Sequence, residues 1–204
     1  MIGQMGSFER PSASIGDPLD LYIHGYVSGR MFNTGRGAGD KGVPVSVSAS
    51  HVDGLVLAMS AFNSSYNYRS AVLFGHATLV QDPAEKLYAL ELITNSVVPG
   101  RWKNSRLPPT NGELQSTSVL KVKIESGSYK ARTGSTGDDK ADMENEQARS
   151  TVWSGVIPTY QAVLEPIAST YNKVDLPEYI SDFVSETGKE NKEHSISAAA
   201  PKPK

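Results

Sequence analysis

The stretch from His24 to Arg30 combines residue types suited to holding a phosphate group. It reads His-Gly-Tyr-Val-Ser-Gly-Arg and follows an alternating segment that predicts a strand. If a short helix begins here, as we expect over residues 27–34, its free N–H groups, the Ser28 hydroxyl and a bidentate Arg30 guanidinium would bind a phosphate monoester. Loops that carry Ser and Arg are common, so an ordinary surface loop is the alternative.

Two other segments place cations beside aromatic residues. Tyr68-Arg69-Ser70 opens a predicted strand, where an ion-paired surface arginine is the plainer interpretation of Arg69. Arg101 and Trp102, with Arg106 nearby, put two guanidiniums and an indole in one loop, which suits an anionic or planar ligand. The alternative is a surface loop with a packing tryptophan.

Several kinds of chemistry lack the residues they need. The chain has no cysteine, which excludes disulfides, thiolate metal sites and cysteine nucleophiles. Its four histidines have no metal-ligand spacing, and His194 is predicted to be inert in a tail, so we expect no metal site. The glycine pattern at 37–42 formally matches a dinucleotide fingerprint, but a predicted strand follows it, so a glycine turn is the better interpretation.

Composition narrows the class of protein. Among 204 residues, 38% are hydrophobic and 21% charged, which is enough to build the core of one domain. The formal net charge of −2 gives no general attraction for a nucleic acid. The longest apolar run, around 55–62, is too short for a membrane-spanning helix, and the first ten residues lack the features of a secretory signal. These features predict a soluble cytoplasmic protein with no nucleic-acid or membrane partner.

The pattern along the chain predicts a mainly β protein with helices. Asp82-Pro83 opens an amphipathic helix that ends before Pro99, with Asp82 as the N-cap. Gly75 is expected at a bulge or a close approach of two backbones. We predict a small antiparallel β-barrel or an α+β roll. The predicted strands are 19–25, 43–47, 55–59, 68–79, 119–124 and 153–157, and further helices are expected at 138–149 and 177–184.

The domain organisation follows from composition shifts. Residues 1–18 are rich in Gly, Ser and Pro and are predicted to be irregular. Residues 19–183 are expected to form the folded domain. Residues 184–204 contain little to bury and are predicted to be a disordered tail.

Six stretches together resemble the flavin-nucleotide-binding proteins related to pyridoxamine 5′-phosphate oxidase, in particular the branch of nitroimidazole-resistance proteins. They occur in order over most of the chain, and together they are specific. The stretches are LYIHGYVSGR (21–30), SHVDGLVLAMSAF (50–62), NYRSAVLFGHA (67–77), ELITNSVVPGRW (91–102), STSVLKVKI (116–124) and VWSGVIP (152–158).

The resemblance implies a split β-barrel of the FMN-binding type that forms a homodimer, with FMN in a groove between subunits. It assigns the flavin phosphate to His24, Gly25, Ser28 and Arg30, and places Tyr68, Arg69 and Ser70 beside the flavin. Arg101 and Trp102 would lie on the substrate side. Relatives have a helix and one or two strands before LYIHGYVSGR, so the start looks shortened. The edge of the barrel would be completed by residues 1–8, by a dimer partner, or left open.

The functional expectation is an FMN-dependent oxidoreductase acting on a small planar substrate, either nitro-aromatic or pyridoxal-type. In such chemistry the flavin carries the electrons, so no side chain is named as catalytic. The alternative is a flavin-, haem- or ligand-binding module without turnover, or a paralogue that has lost its cofactor.

Overall fold

A computed structural model describes residues 2–14, 16–17 and 19–201. The chain divides into two compact units. The first unit comprises residues 1–47 and 72–128, and the second unit comprises 48–71 and 129–204. Each unit has its own helices and polar contacts.

Six strands form one sheet in the order β1-β2-β5-β4-β3-β6. The pairs β1–β2, β2–β5 and β3–β6 are antiparallel. This arrangement confirms the predicted mainly β class with antiparallel pairing. The strands are β1 (Gly3–Gly6), β2 (Asp20–Tyr26), β3 (Val43–Leu57), β4 (Ser65–Leu79), β5 (Thr117–Arg132) and β6 (Gly155–Pro158).

The helices are α1 (Arg30–Gly37), α2 (Pro83–Val97), α3 (Asn111–Ser116), α4 (Lys140–Glu144), α5 (Glu146–Thr151) and α6 (Glu178–Ala199). Two of them, α2 and α6, are long, and the other four have eight residues or fewer. The predicted start of α2 is confirmed, because the Asp82 carboxylate accepts a 2.9 Å hydrogen bond from the Ala84 N–H and Pro83 occupies the first turn. The single polar helix expected at 138–149 is two short helices, α4 and α5.

In the first unit, β2 separates two apolar clusters because alternate side chains leave a strand on opposite faces. Leu21 and Ile23 pack with Phe32 of α1 in one cluster. Tyr22 lies in the other cluster, with Ala89 and Ile93 of α2. The two helices therefore cover residues from opposite faces of the same strand.

Gly75 on β4 confirms the expected close approach of two backbones. A Cβ atom at this position would lie 2.0 Å from the carbonyl oxygen of Lys123 on β5. Such a distance is far inside van der Waals contact, so only glycine fits without a shift of one strand.

In the second unit, the end of α6 is fastened by polar contacts. The Asn67 side-chain amide is buried and donates to the carbonyls of Gly134 and Ala198, at 2.9 and 3.0 Å. The Gly134 N–H also donates to the Ala198 carbonyl, and Arg132 donates to the Asn67 side chain. These bonds join β4, the end of β5 and α6.

Two predictions about the ends of the chain are wrong. Residues 1–18 are not wholly irregular, because β1 pairs with β2 over Gly3 to Gly6 and Met5 packs against the first cluster. An edge strand satisfies the outer backbone groups of β2, which explains its position. Residues 184–199, which were predicted to belong to a disordered tail, are helical, because α6 extends to Ala199. Residues 202–204 lie outside the described part of the chain.

The helix α6 forms despite its polar composition because tertiary contacts stabilise it. Ser195 and Ala198 are buried, and His194 lies 3.5 Å from the Asp53 carboxylate. The prediction that His194 is inert is therefore wrong. The strand predicted at 119–124 is also longer than expected, because β5 continues to Arg132.

Over the ranges that the structure describes, no helix is both long enough and apolar enough to cross a membrane. A cytoplasmic location stays a prediction.

Candidate functional site

The connection from β2 to α1 is a tight turn built around Phe32. This side chain is only 2% exposed, and a Cβ atom on Gly25 would lie 2.5 Å from its ring. A Cβ atom on Gly29 would lie 3.1 Å from the same ring. The Gly29 N–H donates to the Tyr26 carbonyl at 2.9 Å, which closes the turn. Both glycines thus permit the backbone to pass directly over the Phe32 ring.

The start of α1 presents groups that suit an anion. Gly29 is the N-cap and has no side chain to satisfy the first N–H groups of the helix. Ser28 and Arg30 are exposed beside it. Within the described ranges, no ion pair involves the Arg30 guanidinium. A hydroxyl and a guanidinium therefore flank the uncapped start of α1 in sequence, a set of groups that suits an anion.

His24 does not share the face of β2 that packs on α1. Gly25 meets Phe32, whereas His24 projects to the side of Tyr22, because adjacent strand residues alternate. The Nδ1 atom of His24 is buried and has no hydrogen-bond partner among the described residues. Gly25 therefore packs against Phe32, Ser28 and Arg30 flank the start of α1, and the His24 ring lies on the opposite face of β2.

Tyr68, Arg69 and Ser70 lie on β4 in the second unit. Arg69 donates two hydrogen bonds of 2.9 Å to the carboxylate of Asp53, from Nε and Nη2. The Ser70 hydroxyl donates to the Lys130 carbonyl at 3.3 Å. Arg69 is thus an ion-paired residue, which was the plainer of the two interpretations from the sequence, although its Nη1 is not used by Asp53.

Asp53 was not among the residues predicted for the site. In the second unit its carboxylate contacts both Arg69 and His194. It is 4% exposed, and the hydrogen bonds from Arg69 hold the pKa of its carboxyl below the ordinary value, with a smaller contribution from His194. The same pairing raises the pKa of Arg69. One signal was available, since Asp53 is the one charged residue in the stretch Val52-Asp53-Gly54-Leu55-Val56. A charge within an apolar strand is rarely buried without a partner.

A cavity of about 550 Å³ borders this ion pair within the second unit. Side chains with nitrogen or oxygen atoms dominate its lining, so it suits a polar or mixed ligand. The lining includes His51, Asp53, Arg69, Thr159, Tyr160 and Asn191.

Arg101 and Trp102 follow α2 in a tight loop of the first unit. Gly100 has a φ of 74°, which favours glycine, and the Trp102 N–H donates to the Asn95 side chain at 2.9 Å. Arg101 is exposed and Trp102 is half-buried. Arg106 is paired with Glu113, so its charge is already compensated. The loop presents an indole and the Arg101 guanidinium.

No group of three or more histidines, aspartates or glutamates within the described ranges is arranged to hold a metal ion.

The fold is that of a split β-barrel of the pyridoxamine 5′-phosphate oxidase class. The family model described as pyridoxamine 5′-phosphate oxidase matches residues 13–131, which is more than half of the chain. The chain belongs to this family. The resemblance inferred from the sequence is confirmed.

Two solved structures share both sequence and fold with this chain. The FAD and heme binding protein from Mycobacterium smegmatis has 30% identity and a TM-score of 0.70, over 83% of this chain and 78% of that chain. The flavocytochrome Anf3 from Azotobacter vinelandii has 32% identity and a TM-score of 0.68, over 89% of this chain and 84% of that chain. The search of curated proteins found no significant match.

Proposed function

We propose that this protein binds a flavin nucleotide, FMN by preference, and uses it to transfer electrons to or from a small planar substrate. Membership of the pyridoxamine 5′-phosphate oxidase family supports the flavin. So does the likeness to a protein that binds FAD and heme and to a flavocytochrome. A nitro-aromatic compound or a pyridoxal-type amine is the substrate class we propose.

The observation that carries the proposal is the uncapped start of α1. A phosphate monoester offers three oxygens with nearly two negative charges, and the free N–H groups after Gly29 suit it. Ser28 would donate from its hydroxyl, and Arg30 would add a charge-assisted pair of hydrogen bonds. Gly25 and Gly29 let the buried Phe32 ring pack against the backbone here, which fixes the start of α1 relative to β2.

The flavin and the protein would have different roles in the reaction. When bound, the isoalloxazine ring supplies the hydride or electron transfer. The residues of this chain bind the phosphate and fix the orientation of the ring. Arg101 and Trp102 are proposed on the substrate side, where an indole and a guanidinium would contact a planar anionic compound. No acid or base is required from a side chain.

The test is direct. The purified protein is titrated with FMN and, separately, with FAD, and binding is followed by quenching of flavin fluorescence. Tighter binding of FMN is expected. Oxidation of NADPH or NADH in the presence of a nitro-aromatic acceptor then reports turnover. Absence of binding of either flavin at micromolar protein would overturn the proposal, and binding without turnover would leave the flavin-binding module as the function.

A second candidate function is haem binding, and the cavity in the second unit favours it. His51 lines the cavity and offers an imidazole, a common ligand for haem iron. Arg69 keeps Nη1 for a propionate while Asp53 holds the other two nitrogens. One solved relative is named as a heme binding protein. Addition of haemin should produce a Soret shift that His51→Ala abolishes and His76→Ala, in the first unit, preserves.

We also propose that the protein acts as a homodimer. The irregular segment 160–176 exposes large apolar side chains, with Ile167 97% and Tyr171 83% exposed. The segment holds six such residues, and at roughly 150 Å² for a large side chain, the lower end for aromatic residues, they expose on the order of 600 Å². A stable interface buries about 800 Å² per partner, so this segment would supply much of one. Sedimentation velocity measures the mass.

A further inference from the structure

Lys86 on α2 is a half-buried cation without a carboxylate partner. Its ammonium donates one hydrogen bond, 2.6 Å long, to the Leu114 carbonyl of α3. In the described part of the chain it forms no ion pair. Asp82 lies one helical turn away, but its carboxylate accepts from the Ala84 N–H at the start of the helix. Burial lowers the pKa of Lys86, as expected for an amine removed from water without a compensating charge.

A cavity of about 440 Å³ adjoins this ammonium and lies wholly within the first unit. Its volume falls in the range of small-molecule sites. The lining is mixed. Aliphatic carbon comes from Val27, Leu79, Val80, Pro83, Leu87 and Leu114, and uncharged polar groups come from Gln81, Asn111, Gln115, Thr117 and Ser118.

A second cation lines the same cavity. Arg36 of α1 donates from Nη2 to the Val27 carbonyl at 2.8 Å and also contacts the Asn33 side chain. No carboxylate pairs with Arg36 within the described ranges. Its partners are neutral, so they orient the guanidinium without cancelling its charge.

Of the two cations, Lys86 carries the cost of burial, because it is half-buried without a counter-ion, whereas Arg36 is exposed. Desolvating a charge is unfavourable, and a carbonyl partner compensates it only in part. Aliphatic walls beside the two charges match a molecule with an apolar body and an anionic end. Proteins retain such unfavourable groups mainly where a ligand uses them.

We propose that this cavity is a second ligand site, which binds a small amphipathic carboxylate. The carboxylate contacts the Lys86 ammonium and the Arg36 guanidinium, and the hydrocarbon part packs on the aliphatic walls. None of Gly25, Ser28 and Arg30 lines this cavity, although Val27 and Arg36 are near them in sequence, and the proposal does not depend on the proposed flavin function.

The test uses octanoate as the probe and isothermal titration calorimetry as the readout. Wild-type protein should bind octanoate, whereas octanol, with the same chain and no charge, should bind at least tenfold more weakly. Lys86→Met, of similar length, should weaken octanoate binding at least tenfold. The matched control is Lys103→Met, at an exposed lysine in the loop after α2, which should bind as the wild type does.

Other outcomes overturn the proposal. Equal binding of octanoate and octanol would show that the cations do not recognise the anion. Unchanged affinity in Lys86→Met would exclude the lysine, and Arg36→Gln checks the site independently if Lys86→Met does not fold. Displacement of bound FMN by octanoate would make the cavity part of the flavin site and refute a separate one. If the protein binds octanoate but no flavin, the carboxylate site is supported and the proposed flavin function is wrong.

Discussion

Arg69 donates two hydrogen bonds of 2.9 Å, from Nε and Nη2, to the two oxygens of the Asp53 carboxylate. The pair joins β3 to β4, and His194 of α6 lies 3.5 Å from the same carboxylate. Asp53 is buried while the Arg69 side chain is 42% exposed, so the carboxylate depends on its partners more than the guanidinium does. Loss of Arg69 would leave the Asp53 carboxylate buried in an apolar strand without its ion-pair partner.

Asp53→Asn should lower the free energy of unfolding by about 1–3 kcal/mol, because hydrogen bonds to a charged group are lost and the buried amide is poorly matched to Arg69. Urea unfolding followed by circular dichroism measures this. The control is Glu146→Gln, which removes an exposed pair with Arg149 and should change stability by less than about 0.5 kcal/mol. Equal effects for the two variants would contradict a structural role for Asp53.

Stability should fall in acid partly through the same residue. Arg69 holds the pKa of Asp53 below its ordinary value of 3.8. The stabilisation is therefore complete above that value and is lost as the pH falls through the lower pKa of the folded state. Between pH 5 and about pH 2, wild-type protein should lose more stability than Asp53→Asn does. Parallel pH profiles for the two proteins would show that other carboxylates dominate acid unfolding.

Gly75→Ala should destabilise the protein by about 2–3 kcal/mol, because the new methyl group meets the Lys123 carbonyl and one strand must move. Thermal unfolding gives the change. Gly112→Ala is the matched control, since a Cβ atom at Gly112 on α3 meets nothing within 4 Å. That substitution should be neutral or slightly stabilising, because alanine is the better helix former. A neutral Gly75→Ala would mean that β4 and β5 are further apart.

Asp82→Ala should cost about 1 kcal/mol, since the first turn of α2 loses its N-cap hydrogen bond. Asp139→Ala is a useful comparison, because Asp139 occupies the N-cap position of α4 and makes no capping hydrogen bond, accepting instead an exposed 3.3 Å hydrogen bond from the Asn63 side chain. Chemical denaturation of both variants gives the difference. If Asp139→Ala costs as much as Asp82→Ala, general charge effects and not capping explain the loss.

Arg30→Ala should weaken FMN binding by about 1.5–3 kcal/mol, which is roughly 10- to 150-fold in Kd, because a charge-assisted contact to the phosphate is lost. Fluorescence titration measures the affinity. Arg149→Ala serves as the control, since this exposed arginine on α5 is paired with Glu146. Riboflavin, which lacks the phosphate, should bind both the wild type and Arg30→Ala equally. Unchanged FMN affinity would reject the proposed phosphate site at the start of α1.

The sequence predicted those features of the fold that depend on residues close to one another along the chain. The α2 helix was anticipated with its cap and start, because Asp82 and Pro83 act within one turn of their own position. The close approach at Gly75 was anticipated for the same kind of reason, since a glycine inside a strand has few explanations.

Contacts distant in sequence explain what was missed. The α6 helix has a polar sequence, and it is held by Asp53, 141 positions before His194, and by Asn67, 131 positions before Ala198. The sequence pattern of residues 184–199 does not indicate that Asp53 and Asn67 contact this helix. Likewise, β1 forms because β2 has a free edge, and the Gly-rich segment alone gives no sign of it. At the candidate site, the order of residues suggested one cluster, whereas strand alternation divides His24 from Gly25.

The carbonyl of Ala198 has a consequence for proteolysis. It accepts from both the Asn67 amide and the Gly134 N–H, so two interior groups depend on one peptide bond near the end of α6. A carboxypeptidase that removes Ala198 itself would leave the Gly134 N–H and one N–H of the Asn67 amide without this acceptor. Digestion should therefore slow near Ala199 in the folded protein, and the few trimmed molecules that pass this point should be degraded much faster than the rest.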